Sequence, residues 1–236
     1  MNLVLLRVGI DSGCGGIQGP LFADGRFEFI PIPDNRSLDQ RTYGNTQGRY
    51  GQPLIEFFPP RLRTKMADQS MHVDPEFETF TYGDPTTPKR GLAKLLAGDL
   101  LVFYAGLEGF DCAVEPGLFI VGFFEVAFAG FARDFSSSQL RQCSGNFHVR
   151  HTPIFNEQKE VLVLVRGNQR SRLLKKAQPL SETRRQANGQ PLKVLSREMQ
   201  KVFGDFGGKI SIQRSPPRWV HASHVPAAAS FVRSLR

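Results

Sequence analysis

Residues 98–130 read GDLLVFYAGLEGFDCAVEPGLFIVGFFEVAFAG. Gly98-Asp99 is a turn dipeptide, and LLVFYAGL (100–107) is an apolar run of strand length. LFIVGFFEVAFAG (118–130) reads as a strand pair or one long bent strand, with Gly122 and Gly130 as bulge points. Upstream, KRGLAKLLAGD (89–99) carries Leu92, Leu95 and Leu96 at helical spacing and predicts a short helix. Downstream, EVLVLVRG (160–167) predicts a further buried strand, and NFHVRH (146–151) a short extended piece. SRLLKKAQPLS (171–181) and LKVLSREMQKVFG (192–204) read as helices, the second ended by Gly204 as a C-cap. Helices and strands do not alternate regularly, which argues against a doubly wound parallel sheet. The expected class is α+β, with a mixed, strongly curved sheet or β-barrel flanked by short helices.

The N-terminal MNLVLLRVGI predicts a buried strand; it has neither a basic leader nor a small-residue cleavage site. VGIDSGCGGIQGP (8–20) follows, and then LFADGRFEFIPIP (21–33), two apolar runs around Asp24-Gly25 that signal a two-residue hairpin. Residues 34–88 are rich in Pro, Gly, Asn, Gln and Thr but retain aromatics and acids, so an ordered excursion with short strands is expected. No internal repeat is visible.

At 236 residues, 40% hydrophobic and 22% charged, the chain is long enough to bury a sizeable core. No apolar run approaches the roughly 18 residues needed to span a bilayer as a helix. Three widely spaced cysteines, Cys14, Cys112 and Cys143, offer neither a disulfide framework nor a paired zinc knuckle. A reducing, cytoplasmic setting is the economical expectation. Charge is unevenly spread: residues 2–132 hold 11 Lys and Arg against 16 Asp and Glu (net −5), and residues 133–236 hold 19 against 6 (net +13), giving +8. Such an imbalance suits a polyanion partner for the C-terminal half, against the plainer reading of a solvated basic surface. RGNQRSRLLKK (166–176) concentrates Arg166, Arg170, Arg172, Lys175 and Lys176 into the leading phosphate-contact patch, to which Arg150 is added.

The glycine loop poses the sharpest question. It lacks the Gly-Lys-Ser/Thr of a Walker loop, and a hairpin follows it where a dinucleotide fingerprint requires a helix. Gly-Ile-Asp-Ser-Gly after a strand looks like the first phosphate loop of the actin and sugar-kinase fold, but the chain is short for that two-domain fold and has no convincing second loop. Three readings stay open. Asp11 with Ser12, Gly13, Gly15 and Gly16 would bind an anion or nucleotide; Cys14 would be a nucleophile served by neighbouring amides; or the glycines would simply supply positive φ to a tight turn.

MHVDPEFETFTYGDP (71–85) gathers His72, Asp74, Tyr82 and Asp84. His72 and Asp74 share a face on an extended strand, suiting a base with an acid or two metal ligands; turn initiation by Asp-Pro is the plain alternative. His148 and His151 lack a third ligand at sensible spacing, so no metal set is assigned and no cofactor is identified. Trp219, beside Arg218, His221 and His224, could stack a base or merely anchor the C-terminal segment.

The helix, Gly-Asp turn and two strands of 89–130 resemble the PUA-like group, which includes the ASCH, EVE and YTH domains, small β-barrels that bind RNA or modified bases. That resemblance covers about 89–165. Over most of 5–185 the chain is similar to the family called nucleotide modification associated domain 3, through GIDSGCGG, HVDPEF…TYGD, GDLLVFYAGL, NFHVR and VLVLVRGNQRSRLLKKAQPLS, in that order. This implies association with bacterial and phage systems that make or handle modified DNA bases, with protein partners in such a system.

The expected organisation is one domain over 1–236: a glycine-loop strand and hairpin (2–33), a PUA-like core (about 89–165) and a basic helical part (166–236). The expected function is binding of nucleic acid, DNA before RNA, or of a nucleotide. Arg150, Arg166, Arg170, Arg172, Lys175 and Lys176 would meet phosphates. A pocket near Asp11, Cys14, His72, Asp74 and Tyr104, with Ser12, Gly13, Gly15, Gly16, Tyr82, Asp84 and His148, would take the base. The alternative is an enzyme acting on a nucleotide or modified base, with Asp11 or Cys14 as base or nucleophile and His72 as proton partner.

Overall fold

A computed structural model describes residues 1–36, 38–213 and 216–236. Its strands and helices run, in chain order, β1 (Leu3–Arg7), β2 (Gly19–Leu21), β3 (Ile32–Pro33), α1 (Pro60–Met66), β4 (Met71–His72), β5 (Thr81–Asp84), β6 (Leu100–Gly109), β7 (Gly117–Phe131), α2 (Ser137–Gln142), α3 (Phe147–Arg150) and α4 (Thr152–Gln158). There follow β8 (Val163–Gly167), β9 (Arg172–Pro179), β10 (Ser181–Arg185), β11 (Pro191–Leu195), α5 (Arg197–Phe203), β12 (Arg218–Trp219) and α6 (Val225–Ser234).

The two apolar runs of 98–130 are the spine. β6 and β7 pair antiparallel, and β7 is one long strand rather than two. Each takes two partners end to end on its outer edge. β1 lies parallel to the first half of β6, Leu3 opposite Leu100 and Arg7 opposite Tyr104, and β2 lies parallel to its second half, Gly19 opposite Leu107. On the other side, β8 pairs antiparallel with the C-terminal part of β7 and β9 with its N-terminal part. Parallel and antiparallel pairs make the sheet mixed, as expected, and its path β12-β1-β6-β7-β8-β5 has two ends, so it does not close into the barrel that was one of the two expected forms.

This topology explains the glycine loop. β1 and β2 are nearly consecutive along one edge of β6, and residues 8–18 are the chain that leaves that edge and rejoins it. No crossover helix is required. The hairpin after it turns through a three-residue loop: the Phe22 N–H donates to Arg26 O, and Gly25 supplies a φ of 84°.

β6 is buried from Leu100 to Leu107 on both faces, because the 71–84 segment covers one and the C-terminal elements the other. That overturns the reading of Tyr104 as a pocket aromatic. Its ring is fully buried and its hydroxyl donates to Ile212 O at 3.0 Å. Phe103, Phe123 and Phe124 are buried as well. The excursion 34–88 packs a smaller core of its own, in which Tyr43, Phe58 and Met71 meet Ile10 and Ile30.

Three local expectations are corrected. SRLLKKAQPLS is strand β9, not a helix: its ends pair with β7, while its middle bows out, Lys175 N–H donating to Arg236 O and Ala177 N–H to Gly25 O. NFHVR is a helical turn, capped by Asn146 Oδ1 accepting the His148 N–H at 3.0 Å. LKVLSREMQKVFG splits into β11 and α5, with Ser196 as N-cap and Gly204 at a φ of 79° as C-cap. The helix at KRGLAKLLAGD is a 3-10 segment, Thr87–Lys94. Among the described residues, no helix is long and apolar enough to cross a membrane.

Candidate functional site

A cavity of about 690 Å³ opens where the end of β1, the β3–β4 pair, β5 and the α3–α4 turn converge. The sheet edge supplies Arg7, Asp11 and Cys14; the excursion supplies Asp34, Arg36, His72 and Asp74; β5 and its exit supply Tyr82, Asp84 and Lys89. Phe147, His148 and Gln158 close the far side.

Local folding places these groups. β3 pairs with β4, setting His72 opposite Ile32. β5 pairs antiparallel with β8, Gly83 opposite Leu164. At Gly83 the helical turn comes so close that a Cβ would lie 2.7 Å from Asn146 Oδ1 and 3.0 Å from His148 Cδ2. The bare position also lets the Gly83 N–H donate to Asp74 Oδ2 at 2.8 Å. Asn146, fully buried, both caps α3 and donates from Nδ2 to the same oxygen at 3.2 Å. Gly83→Ala is therefore expected to push Asn146 and His148 outward and to cost about 1–3 kcal/mol of stability as a small-to-large change in a packed site. Denaturant unfolding checks the cost, and an unchanged midpoint would show that the turn can yield.

The floor of the cavity is His72, Asp74 and His148, whose ligand atoms all lie within 4.8 Å of one another. His72 stacks on Phe147 with centroids 4.0 Å apart. Burial, then the neighbouring His148, pushes the His72 imidazole down to about 3. Burial also lowers His148, against the opposing hydrogen bond to Gln158 Oε1. Asp74 is raised well above the usual carboxylate range by burial, against the bonds from Gly83 and Asn146. His148 Nε2 sits 3.7 Å from Asp74 Oδ2, and burial favours the neutral form of both groups. Above the floor, the Tyr82 hydroxyl donates to Asp84 Oδ2 at 3.0 Å. Burial lowers the Lys89 ammonium, with Asp84 opposing.

The glycine loop is turned inward on itself. The N–H groups of Cys14 and Gly16 donate to Asp11 O, and that of Gly13 donates to Asp11 Oδ1 at 2.8 Å. Gly15 and Gly16 sit at φ of 100° and 82°. Those three amides are spent within the loop, and Asp11 Oδ2 pairs with Arg7 at 3.0 Å. The loop is thus a tight turn that contributes the side chains of Asp11 and Cys14 to the cavity wall. Cys14 is exposed, and partial burial of its sulfur together with the charge of Asp11 pushes its thiol up, the opposite of what a thiolate nucleophile needs. Ser12, Gly13, Gly15 and Gly16 do not line the cavity.

The basic residues of the expected patch have separate partners. Arg150 is ion-paired with Asp39 and lies over the Phe147 ring at 5.7 Å. Arg170 pairs with the buried Glu125 at 3.2 Å, a carboxylate that Arg233 also holds. Arg172 lies over Phe123, and Arg166 reaches Phe80 O. Lys175 and Lys176 are exposed on the bowed middle of β9. Trp219, 39% exposed on edge strand β12, lies outside the cavity lining, as do His221 and His224.

Sequence reading missed Arg7, Arg36, Lys89, Asn146 and Gln158. The available signal was Asn146 before a short apolar stretch, an N-cap pattern hidden by the alternation of Phe147 and Val149.

Compared with known proteins, residues 2–234 match the family model described as nucleotide modification associated domain 3. No curated protein matches, and no solved structure matches.

Proposed function

The chain belongs to the nucleotide modification associated domain 3 family, and on that premise we propose that the cavity receives a nucleotide, presented by a nucleic-acid strand, DNA before RNA. The observation that carries the reading is the cavity itself. Its volume of about 690 Å³ suits a nucleotide, within the roughly 300–1,000 Å³ usual for ligand pockets. Its walls bring Arg7, Arg36 and Lys89 together with Asp34, Asp84 and Gln158. A nucleotide needs that mixture: cations for the phosphate, and acceptors and amides for the edge of a base. The buried His72–Asp74–His148 floor is where chemistry on a bound base would occur, in preference to Cys14. The +13 net charge of residues 133–236 favours a polymer over a free nucleotide as the natural partner.

Calorimetric titration with deoxynucleoside monophosphates and with short single- and double-stranded DNA and RNA tests this. Lys89→Met is expected to weaken all of these about tenfold, the loss of one charge-assisted hydrogen bond. A Lys175→Ala, Lys176→Ala double variant is expected to bind monophosphates normally. On duplex DNA it would flatten the dependence of log K on log salt by about 0.9 per lost phosphate contact. Nucleotide binding that ignores Lys89→Met, or none by the wild type, would remove the cavity from the account.

A further inference from the structure

We propose that His72, Asp74 and His148 bind a divalent first-row transition-metal ion, with the remaining coordination positions open to the cavity. The donor set is two imidazoles and one carboxylate, the set that suits zinc, manganese, iron(II) or cobalt with room left for water or substrate.

Four observations carry the assignment. The side chain of Asp74 is 4% exposed, and only its Oδ2 is satisfied, by Gly83 and Asn146. Its Oδ1 is buried with no hydrogen-bond partner, an arrangement that costs free energy unless a cation completes it. His148 Nδ1 lies 2.8 Å from Gln158 Oε1, so the ring proton sits on Nδ1 and the lone pair of Nε2 faces Asp74. A second hydrogen bond of this kind is how metal-bound histidines are oriented. Among the described residues neither ring nitrogen of His72 has a hydrogen-bond partner, while Phe147 fixes the plane of the ring.

Spacing completes the case. Three ligands bound at about 2.1 Å stand roughly 3–3.5 Å apart. Atoms within 4.8 Å therefore reach bonding distance by an inward shift of roughly 1 Å. The Arg150 cation nearby is already taken up by Asp39. A bound ion would act there as a Lewis acid on a substrate oxygen or on a coordinated water.

The site does not depend on the cavity taking a nucleotide, and its test uses none. Full-length protein, stripped with chelator and dialysed, is titrated with Co²⁺ by visible absorption and with Zn²⁺ by calorimetry. One ion per chain is expected. Asp74→Asn and His148→Ala should each weaken binding at least 100-fold, and Gln158→Leu about 10-fold through loss of ring orientation. His151→Ala, which removes a nearby histidine outside the set, should bind as the wild type does. If a ligand variant fails to fold, Zn²⁺-induced shifts of the His72 and His148 ring nitrogens in wild-type NMR spectra decide the matter. Absence of stoichiometric uptake, or uptake that leaves both rings unshifted or survives His148→Ala, would overturn the proposal.

Discussion

Phe103→Ala is expected to lower the unfolding free energy by about 3–5 kcal/mol, the range for deleting a fully buried phenyl ring. Phe103 stands in the middle of β6 with no exposed surface. Its ring packs edge-on against Phe124 at 4.6 Å and against Phe77 at 5.6 Å, and is tilted against Tyr82 at 5.9 Å. Phe77 in turn meets Phe29 at 5.5 Å and Phe124 at 5.5 Å. These contacts tie the 71–85 segment, and with it His72, Asp74 and Asp84, to the central sheet. Removing the ring leaves a void that rigid strands on both edges of β6 prevent from collapsing. Phe103→Leu, which keeps most of the volume, should lose less than half as much. Chemical denaturation of both variants checks the ordering; a small loss in Phe103→Ala would mean that the segment does not rest on this stack.

The second large effect is a pH dependence centred on Glu28. Its side chain is 3% exposed, and Oε2 accepts the Arg49 N–H at 2.7 Å. The Arg49 guanidinium, however, points to Leu174 O at 2.8 Å and lies over Phe27, so among the described residues the carboxylate has no direct counter-ion. Burial raises the carboxyl from its ordinary 4.5 to about 7, against the bond and charge of Arg49. Between those two values the folded chain keeps a proton that the unfolded chain has released, so stability falls as pH rises through the window. The full penalty, reached above pH 7, is about 3 kcal/mol at 1.36 kcal/mol per unit. His72 and His148, held neutral by burial, act oppositely by losing stability as pH falls below the usual histidine range. The Glu28 contribution is therefore read as the difference between wild type and Glu28→Gln. The variant should gain about 3 kcal/mol on the wild type as pH goes from 4.5 to above 7. A difference that stays flat with pH would place an unseen cation beside Glu28.

The spine of the fold is legible in the chain because β1, β6, β7 and β8 are dense apolar runs at strand length, bounded by turn residues. What misled on the central sheet was a tertiary partner. Leu173-Leu174 followed by Lys175-Lys176 has helical texture, yet Arg172 and Leu173 are claimed by Phe123 and Gly122 of β7. Tyr104 was named as a pocket residue, whereas β6 is covered on both faces and the ring is fully buried. The PUA-like resemblance at 89–165 rested on a turn and two strands, a unit that an open mixed sheet holds equally well.

The candidate site was legible as a set of residues, His72, Asp74, Tyr82, Asp84 and His148, and not as an arrangement. His72 and Asp74 lie two positions apart, but β4 ends at His72 and the Asp74 N–H donates back to His72 O at 3.0 Å, so a turn, not the shared face of an extended strand, brings them together. The third member of the floor, His148, arrives through the pairing of β5 with β8 and through Asn146, whose bond to Asp74 spans 72 positions. No spacing rule encodes that approach. The glycine loop was open to an anion-binding, a nucleophile and a tight-turn reading; in the structure it carries the chain between two strands on one edge of β6, with three of its amides bonded to Asp11.

The cavity between β1, β5 and α3 is proposed to take a nucleotide. The most direct measurement is a crystal structure of the full chain soaked with a deoxynucleoside monophosphate at saturating concentration. The account predicts the base and sugar inside the cavity, with the phosphate in hydrogen-bond reach of Arg7, Arg36 or Lys89. A nucleotide seated elsewhere on the surface, or a cavity left without one under those conditions, would contradict it.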